Sequence, residues 1–382
     1  MPGSKFTLPN LHDLSKEQDE ALMLPDQGQY LIVGGPGTGK SILALLRAKR
    51  YIESKRRYIF LVYNHVLHQA IRHLFQGQLS SRTWMGWFFQ FFIHKTGYQV
   101  PQKQSPQGQK VIDWEAALKI VQERGPDPDL AHTYVIMDEG QDMPPGLYQV
   151  LINMGFENFF VLADQNQQLD IEVNSSRQDI EHALALSPDK VIELTENFRN
   201  SRAIARLAQT FYVPDPASPP IQLPEDDGRK EAVCVYEYAG DDQAFTSLIR
   251  RILRTADRDP SKLLAIFTPN NRVRERYLQA LNQQVDCLQF EHDPPVIQTY
   301  YACQENIHLD FGRGGIMVLN VQSCKGLEFD TVFLADIDQF LGDTQNDLFM
   351  DNKRRQFYVM CSRACDRLIL FQDTSKPCPM QG

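Results

Sequence analysis

The stretch GGPGTGKS, residues 34–41, decides the fold of this chain. It matches the pattern G-x-x-x-x-G-K-[ST] at every fixed position. The apolar run YLIVGG leads into it and apolar residues at helical spacing follow it, so a strand, a glycine-rich turn and a helix are predicted in succession. Glycines allow backbone N–H groups and the helix N-terminus to face phosphates. The stretch therefore predicts a phosphate-binding loop in an α/β fold.

The side chains at the end of this loop have predicted tasks on a nucleoside triphosphate. Lys40 would reach the terminal phosphates, and the Ser41 hydroxyl would bind magnesium. The predicted nucleotide-binding residues of the loop are Gly35, Pro36, Gly37, Thr38, Gly39, Lys40 and Ser41. A glycine-rich turn without a ligand is the alternative, and the strand and helix predicted on either side argue against it.

A second motif lies about a hundred residues downstream, where the apolar run in TYVIMDEGQD ends in two adjacent acids. Asp138 would hold the magnesium ion, directly or through water, and Glu139 would orient and deprotonate an attacking water. Paired acids at a strand end are often only a solvated turn. A kinase-type enzyme with such a loop would use its second carboxylate on an acceptor hydroxyl, so the pair alone does not decide between water and another acceptor.

Length and composition limit the classes of protein that remain. A chain of 382 residues exceeds the usual size of one hydrophobic core, so two domains are expected. The net charge of -9 means that any attraction to nucleic acid must come from a local basic face. The sequence has no apolar run of about 20 residues, no secretory signal pattern and no C-x-x-C pair among its seven cysteines. We therefore expect a cytoplasmic protein with reduced thiols and no membrane contact.

Short apolar runs that end in turn or polar residues recur along the chain and predict buried parallel strands. They are YLIVGG, YIFLVYN, TYVIMDE, FFVLAD, VIEL, AVCVYEY, LLAIFT, GIMVLNV, TVFLADI and RLILFQD. Helical patterns separate them, which favours α/β layers. A proline-rich segment, residues 213–228, interrupts this alternation and predicts the crossover between two domains, residues 1–195 and 196–382.

Taken with the rest of the chain, the two motifs resemble those of superfamily 1 helicases of the UvrD/Rep type. LSKEQDEAL is similar to the family's adenine-reading segment, which gives Gln18 a role on the base. DEGQD resembles the family's DExxD box, so Gln141 and Asp142 join the site as coupling residues. FFVLADQNQ resembles the third motif, with Ala163 in place of a glycine, Asp164 retained and Gln167 as the sensor of the γ-phosphate.

The resemblance continues through the second half of the chain. LTENFRN is similar to the family's N-Y-R-S segment, which implies that Phe198 stacks on adenine and that Arg199 lies at the γ-phosphate. NVQSCKGLEFDTVF is close to the K-G-L-E-F motif and places Gly326 and Glu328 near the nucleotide. QFYVMCSRACDRL matches Y-V-x-x-[TS]-R-A and implies that Arg363 is an arginine finger. The family fold is two RecA-like domains, each a parallel sheet flanked by helices, with ATP and magnesium in the cleft between them.

The sequence departs from the family pattern in ways that bear on nucleic-acid binding. It has little room for the family's accessory insertions, and QQLDIEVNSS lacks the aromatic residues that stack on single-stranded bases. Tyr63, Trp84, Trp87 or Phe88 could substitute, although a buried helix is the preferred interpretation of the run TWMGWFFQFF. Basic clusters at residues 47–57 and 353–355 could be a track for phosphates, but solvated helix faces are the more common case.

Two functions remain after these departures. The first is an ATP-dependent single-stranded DNA translocase or minimal helicase, with repair or defence against foreign DNA as its setting by analogy and with RNA left open as the strand. The second is a nucleotide-controlled switch or regulatory subunit that signals to a protein partner such as a nuclease. A small-molecule kinase is a more remote alternative. The motor is the preferred interpretation, whereas the missing accessory insertions, the missing stacking tryptophan and the acidic balance favour the switch.

Overall fold

The computed structural model describes residues 13–63, 65–74, 79–106, 108–168, 174–215, 221–226, 228, 232–301, 309–311, 313–340 and 347–376. These residues form two compact units. The N-terminal unit comprises the described residues of Leu8–Thr195 and Pro214–Ile221, and the C-terminal unit comprises those of Glu196–Val213 and Gln222–Gly382. Each unit contains one six-stranded parallel sheet with helices packed on it.

The N-terminal unit alternates strands and helices along the chain. Its elements are α1 (Lys16–Met23), β1 (Gln29–Gly34), α2 (Lys40–Glu53), β2 (Tyr58–Val62), α3 (His65–Leu74), β3 (Arg82–Thr83), α4 (Trp84–Thr96), β4 (Gln102–Gln104), β5 (Lys110–Ile112), α5 (Trp114–Arg124), β6 (Tyr134–Met137), α6 (Pro145–Met154), β7 (Asn158–Ala163), α7 (Arg177–Ala183) and β8 (Val191–Leu194). The main sheet has the order β3-β2-β6-β7-β1-β8, while β4 and β5 form a separate antiparallel hairpin.

Strand β1 lies inside this sheet, between β7 and β8. Because successive side chains of a strand point to opposite faces, the residues of β1 contribute to two different hydrophobic cores. Leu31 and Val33 pack on one face, and Tyr30 and Ile32 pack on the other. The phosphate-loop sequence that follows β1 therefore begins at the carboxyl edge of a strand that is buried on both faces, which holds its starting point rigidly.

The C-terminal unit repeats the same architecture. Its elements are α8 (Arg202–Thr210), β9 (Val233–Tyr238), α9 (Asp242–Arg258), β10 (Leu263–Thr268), α10 (Asn271–Val285), β11 (Ile297–Thr299), β12 (Gly315–Asn320), β13 (Phe329–Leu334), α11 (Asp347–Cys361) and β14 (Ala364–Asp373). All neighbours in the sheet order β11-β12-β10-β13-β14-β9 are parallel. Apolar faces of α9 and α10 cover one side of the sheet.

The α/β fold with two parallel sheets that was predicted from the apolar runs is confirmed, and each of the ten runs corresponds to a strand. The strands missing from the prediction are short: β3, β4, β5 and β11 contain two or three residues each. Segments of that length have no apolar run and no measurable period, so their pairing depends on the neighbouring structure.

The aromatic run forms α4, and most of its large side chains are in the core of the N-terminal unit. Trp84, Trp87, Phe88 and Phe92 are all buried there, together with the adjacent ring of Phe156. The preferred interpretation as a buried helix is therefore confirmed. Trp84, Trp87 and Phe88 have almost no exposed surface with which to stack on a base.

The basic cluster at residues 47–57 is not simply a solvated helix face. Arg47 is completely buried, and its guanidinium donates hydrogen bonds to the backbone carbonyls of Leu22 and Leu24 and lies over the ring of Phe160. Its neighbour Asp26 also forms ion pairs with the more exposed Arg50 and with Arg56. These three arginines tie the segment before β1 to the rest of the unit, which makes them poor candidates for a phosphate track.

Replacing Arg47 by alanine is expected to lower the free energy of unfolding of the N-terminal unit by about 3–5 kcal/mol, because it opens a cavity and removes the buried hydrogen bonds that Arg47 donates to the carbonyls of Leu22 and Leu24. Chemical denaturation measures this loss. Arg50→Ala is the matched control, since Arg50 contacts Asp26, as Arg47 does, but from a 43% exposed position, and should cost about 1 kcal/mol or less. Equal losses in the two variants would contradict the structural role of Arg47.

Two further expectations concern membranes and cysteines. Within the described ranges, none of the helices combines the length and the apolar character needed to cross a membrane. The described cysteines form no disulfide with one another. Cys303 and Cys378 lie outside the described residues.

Candidate functional site

The predicted phosphate loop joins β1 to α2. Gly39 caps the helix in the left-handed region, with φ 86°, and a side chain there would meet the Gln18 amide nitrogen at 2.4 Å. The Thr38 hydroxyl donates a hydrogen bond to the Gly35 carbonyl at 2.9 Å. Both observations explain the residue types: the turn needs glycine for its backbone and its packing, and the threonine stabilises its curvature.

Lys40 is the first residue of α2, and its side chain folds back over the loop. The ammonium group donates hydrogen bonds to the carbonyls of Gly34 at 2.7 Å and Gly35 at 2.9 Å. It also lies 3.7 Å from the Asp164 carboxylate, which follows β7. Although Lys40 is only 7% exposed, its charge is thus paired and held directly above the turn that would surround the phosphates.

Asp138 follows β6 and has no exposed surface. Burial raises the pKa of its carboxyl to about 7, and the adjacent Glu139 charge raises it too, whereas the Ser41 hydroxyl and the Lys40 ammonium lower it. One oxygen accepts the Glu139 backbone N–H at 3.1 Å. Among the described residues, the other oxygen, Oδ2, has no hydrogen-bond partner.

These residues fit a magnesium ion bound together with a nucleotide. Among the described residues, Asp138 has a buried carboxylate oxygen without a hydrogen-bond partner, and the Ser41 hydroxyl is close enough to lower the pKa of that carboxyl. Hard oxygen ligands of this kind are those that magnesium prefers. The described residues contain no group of three or more His, Cys, Asp or Glu side chains arranged for a metal. Phosphate oxygens and water would have to complete the coordination, as is usual for magnesium in nucleotide sites.

Glu139 is buried and is held by a hydrogen-bonded chain. Its carboxylate accepts a hydrogen bond of 2.7 Å from the Gln141 amide nitrogen. The Gln141 amide oxygen in turn accepts the Asp164 backbone N–H at 2.9 Å. Gln167 donates its amide hydrogen bond to the Asp164 carboxylate. Asp164 therefore links three groups whose motifs are far apart in sequence. It contacts Gln167 and Lys40 directly and is connected to the predicted base Glu139 through Gln141.

Gln18, predicted to read the adenine edge, lies beside the loop but uses its amide on the protein. Its side-chain nitrogen donates to the Thr38 carbonyl at 3.0 Å, and its side-chain oxygen accepts the Ser15 N–H at 3.0 Å. These bonds form part of the cap of α1 and link that helix to the phosphate loop. An additional contact of Gln18 with the base stays a prediction.

The C-terminal unit brings together a second group of the predicted residues. Arg199 forms an ion pair with Glu328 and also approaches the Ser362 carbonyl at 3.4 Å. Asn200 fastens the same segment through hydrogen bonds to the carbonyls of Ser362 at 3.0 Å and Ala364. Residues from the N-Y-R-S-like, K-G-L-E-F and S-R-A segments thus form one polar cluster within this unit.

Arg363 and Phe198 differ in accessibility. Arg363 is 1% exposed, and its Nε donates to the Val359 carbonyl at 3.2 Å. Phe198 is 56% exposed, so its ring is open to a ligand such as a base. Gly326 has a φ of 73°, which accounts for a glycine in the K-G-L-E-F turn. The roles of these residues and of Arg199 on the nucleotide stay predictions.

Asp164 was recognised in the sequence as the retained acid of the third motif but was given no role in the site, although the structure places it at the centre of the hydrogen-bonded chain. It directly follows the buried run FFVLA as Asp138 follows YVIM, and this position could have indicated its role. Carboxyl ends of parallel strands meet at one edge of a sheet. Residues 169–173, which belong to the segment without aromatic residues, lie outside the described residues.

Both halves of the chain match helicase families. Residues 28–217 match the Schlafen group 3, DNA/RNA helicase domain, and residues 315–371 match the UvrD-like helicase C-terminal domain. No curated protein shows a significant match. A solved structure, the C-terminal domain of a possible DNA helicase from Lactobacillus plantarum WCFS1, is similar over 47% of this chain and 89% of its own, with 16% identity and a TM-score of 0.32. A TM-score of 0.32 is too low to support a conclusion about the fold or function of this chain.

The resemblance to UvrD-like helicases that the motifs predicted is confirmed by these family matches. They identify helicase-type domains, a class that generally uses ATP with magnesium and acts on nucleic acid. The Schlafen group 3 family is described as a DNA/RNA helicase domain.

Proposed function

We propose that this chain, whose two halves match helicase families, is an ATPase that translocates along single-stranded DNA or acts as a minimal helicase. ATP would bind with magnesium at the loop of residues 34–41, and Glu139 would activate the attacking water. Arg199 and Arg363 would act on the γ-phosphate, as the family resemblance implies. A setting in DNA repair or in defence against foreign DNA is an analogy with other compact helicases.

One observation carries the hydrolysis proposal: the hydrogen-bonded chain that connects Glu139, Gln141 and Asp164 to Gln167 and approaches Lys40. Phosphoryl transfer needs few covalent steps from the protein, so that catalysis consists mainly of aiming charges and orienting water. A base and a phosphate-binding cation that share one rigid network satisfy this requirement. A solvated pair of acids in a turn would have no such network.

A second candidate function, the nucleotide-controlled switch, has structural support of its own. Trp84, Trp87 and Phe88 are buried, and the arginines at positions 47, 50 and 56 are engaged by backbone carbonyls or by Asp26. Several features that could have bound a single strand are thus used for stability. A switch would hydrolyse ATP and pass the change to a protein partner such as a nuclease, without travelling along a strand.

Steady-state ATP hydrolysis with and without single strands separates the two functions. We expect single-stranded DNA to raise turnover at least about 10-fold for a motor, with a salt-dependent affinity because phosphate contacts release counterions. Single-stranded RNA of the same length and sequence tests the alternative strand, and Lys40→Ala gives the background rate. Hydrolysis that no nucleic acid changes, but that a co-purifying protein does, would exclude the motor and support the switch.

A further inference from the structure

The turn after β6 carries an unusual backbone conformation at the proposed catalytic base. Glu139 has a φ of 58°, in the left-handed region that a residue with a side chain rarely adopts. Such conformations persist only where the surrounding structure enforces them, and they cluster at functional sites. The contacts that enforce this one determine where the Glu139 carboxylate points.

The next residue, Gly140, is confined on two sides. A Cβ atom there would lie 2.5 Å from a Val161 methyl group on β7 and 2.8 Å from the Tyr148 hydroxyl, so the site accepts only glycine. The Gly140 carbonyl accepts two hydrogen bonds, one from the Met143 N–H at 3.1 Å and one from the Tyr148 hydroxyl at 2.8 Å. The first bond closes the turn, and the second attaches the turn to helix α6.

Tyr148 is well suited to hold this turn. It has no exposed surface, and its ring belongs to the same core as β7 and the aromatic helix α4. Burial, with a contribution from the charge of Asp142, raises the pKa of its hydroxyl, so the group keeps its proton and acts as a donor. Its acceptor is the carbonyl of the peptide bond between Gly140 and Gln141, which lies between Glu139 and the amide that binds the Glu139 carboxylate.

We propose that Tyr148 is a positioning residue for ATP hydrolysis: its hydroxyl holds the Gly140 carbonyl and thereby keeps Glu139 in the conformation that presents its carboxylate to the attacking water. This inference rests on the proposed function. Tyr148 touches neither nucleotide nor water in this mechanism. It acts through the backbone, and Gln141 acts on the carboxylate itself.

Tyr148→Phe removes only the hydroxyl and is therefore the direct test. We expect kcat for ATP to fall by about 10-fold or more, since small displacements of a catalytic group can cost up to about 100-fold. The KM for ATP should stay within about twofold, because Lys40 and the phosphate loop are untouched. Incorporation of p-aminophenylalanine at position 148 retains an N–H donor in the same place and should restore most of the lost turnover.

Tyr30→Phe is the matched control, since the Tyr30 hydroxyl also donates to a backbone carbonyl, that of Gln27 at 3.0 Å, in the same unit but outside the site. Its kcat should equal that of the wild type. In a Glu139→Gln background, Tyr148→Phe should cause no further loss, because the base that it positions is already gone.

Three outcomes would overturn the inference: a kcat of Tyr148→Phe equal to that of Tyr30→Phe, the same fold loss in the Glu139→Gln background as in the wild type, or loss of the folded state, which would mark Tyr148 as purely structural. Each leaves the proposed function intact as long as the wild type hydrolyses ATP and Lys40→Ala does not. A wild-type protein without ATP hydrolysis would overturn both.

Discussion

Lys40→Ala is expected to abolish ATP hydrolysis, with turnover at saturating ATP falling by about 10³-fold to the background rate. The ammonium group lies over the loop, bonded to the Gly34 and Gly35 carbonyls and 3.7 Å from Asp164. Its charge would stabilise the negative charge that develops on the terminal phosphates. The predicted loop, residues 34–41, contains no other lysine or arginine that could replace it. Phosphate release at saturating ATP measures the effect.

Lys49→Ala provides the control on the same helix. Lys49 is 58% exposed and, within the part of the chain that the structure describes, pairs only with the similarly exposed Glu53, so its loss should leave turnover and stability nearly unchanged. Nucleotide binding by Lys40→Ala should be weakened as well, which a fluorescent ATP analogue would report. Near-normal turnover in Lys40→Ala would refute the phosphate-loop assignment and with it the proposed ATPase.

Glu139→Gln is expected to retain ATP binding while hydrolysis slows by at least about 100-fold, since general base catalysis typically contributes 10²- to 10⁴-fold. Glutamine has nearly the same shape as glutamate, and its amide oxygen can still accept the hydrogen bond from Gln141. The turn should therefore survive while the proton acceptor is lost. Single-turnover hydrolysis, combined with an equilibrium measurement of ATP affinity, separates the two effects.

The isosteric Gln141→Glu variant is a useful comparison for this prediction. It would place a second carboxylate against Glu139 and Asp142, both of which now accept hydrogen bonds from the Gln141 amide. Like charges in a buried site repel, so this variant should also hydrolyse slowly, but with a loss that depends on pH. Glu139→Gln should be slow at every pH. Turnover of Glu139→Gln within a few fold of the wild type would show that another group activates the water.

The family resemblance and the strand prediction succeeded because both depend on local sequence. The strands that border the site, β1, β6 and β7, are buried on both faces and appear as nearly continuous apolar runs. Asp138 and Glu139 directly follow β6, and the loop before Lys40 directly follows β1. Their positions at the sheet edge therefore follow from the strand ends alone.

Other features could not be read from local sequence. The cluster from Arg47 to Arg57 has the composition of a basic surface, yet Arg47 is buried, because the carbonyls that it binds come from a segment more than twenty residues upstream. Gln18 is predicted to contact adenine, and its amide also bonds to the Ser15 N–H and the Thr38 carbonyl, which the sequence does not show. In both cases the sequence shows the chemical group but not the partner that it meets.

The sequence by itself determined the α/β class and the strand before the predicted phosphate loop, and it supplied the proposed roles of Lys40, Asp138 and Glu139. Glycine spacing and apolar periodicity are patterns of a few neighbouring residues, so they can be recognised without knowing the rest of the chain. Only the tertiary structure decided that Gln141 and Asp164 join these groups into one network and that the Tyr148 hydroxyl holds the turn at Glu139. Those contacts depend on how α6 and β7 pack against the loop after β6, and packing of this kind is a property of the whole core.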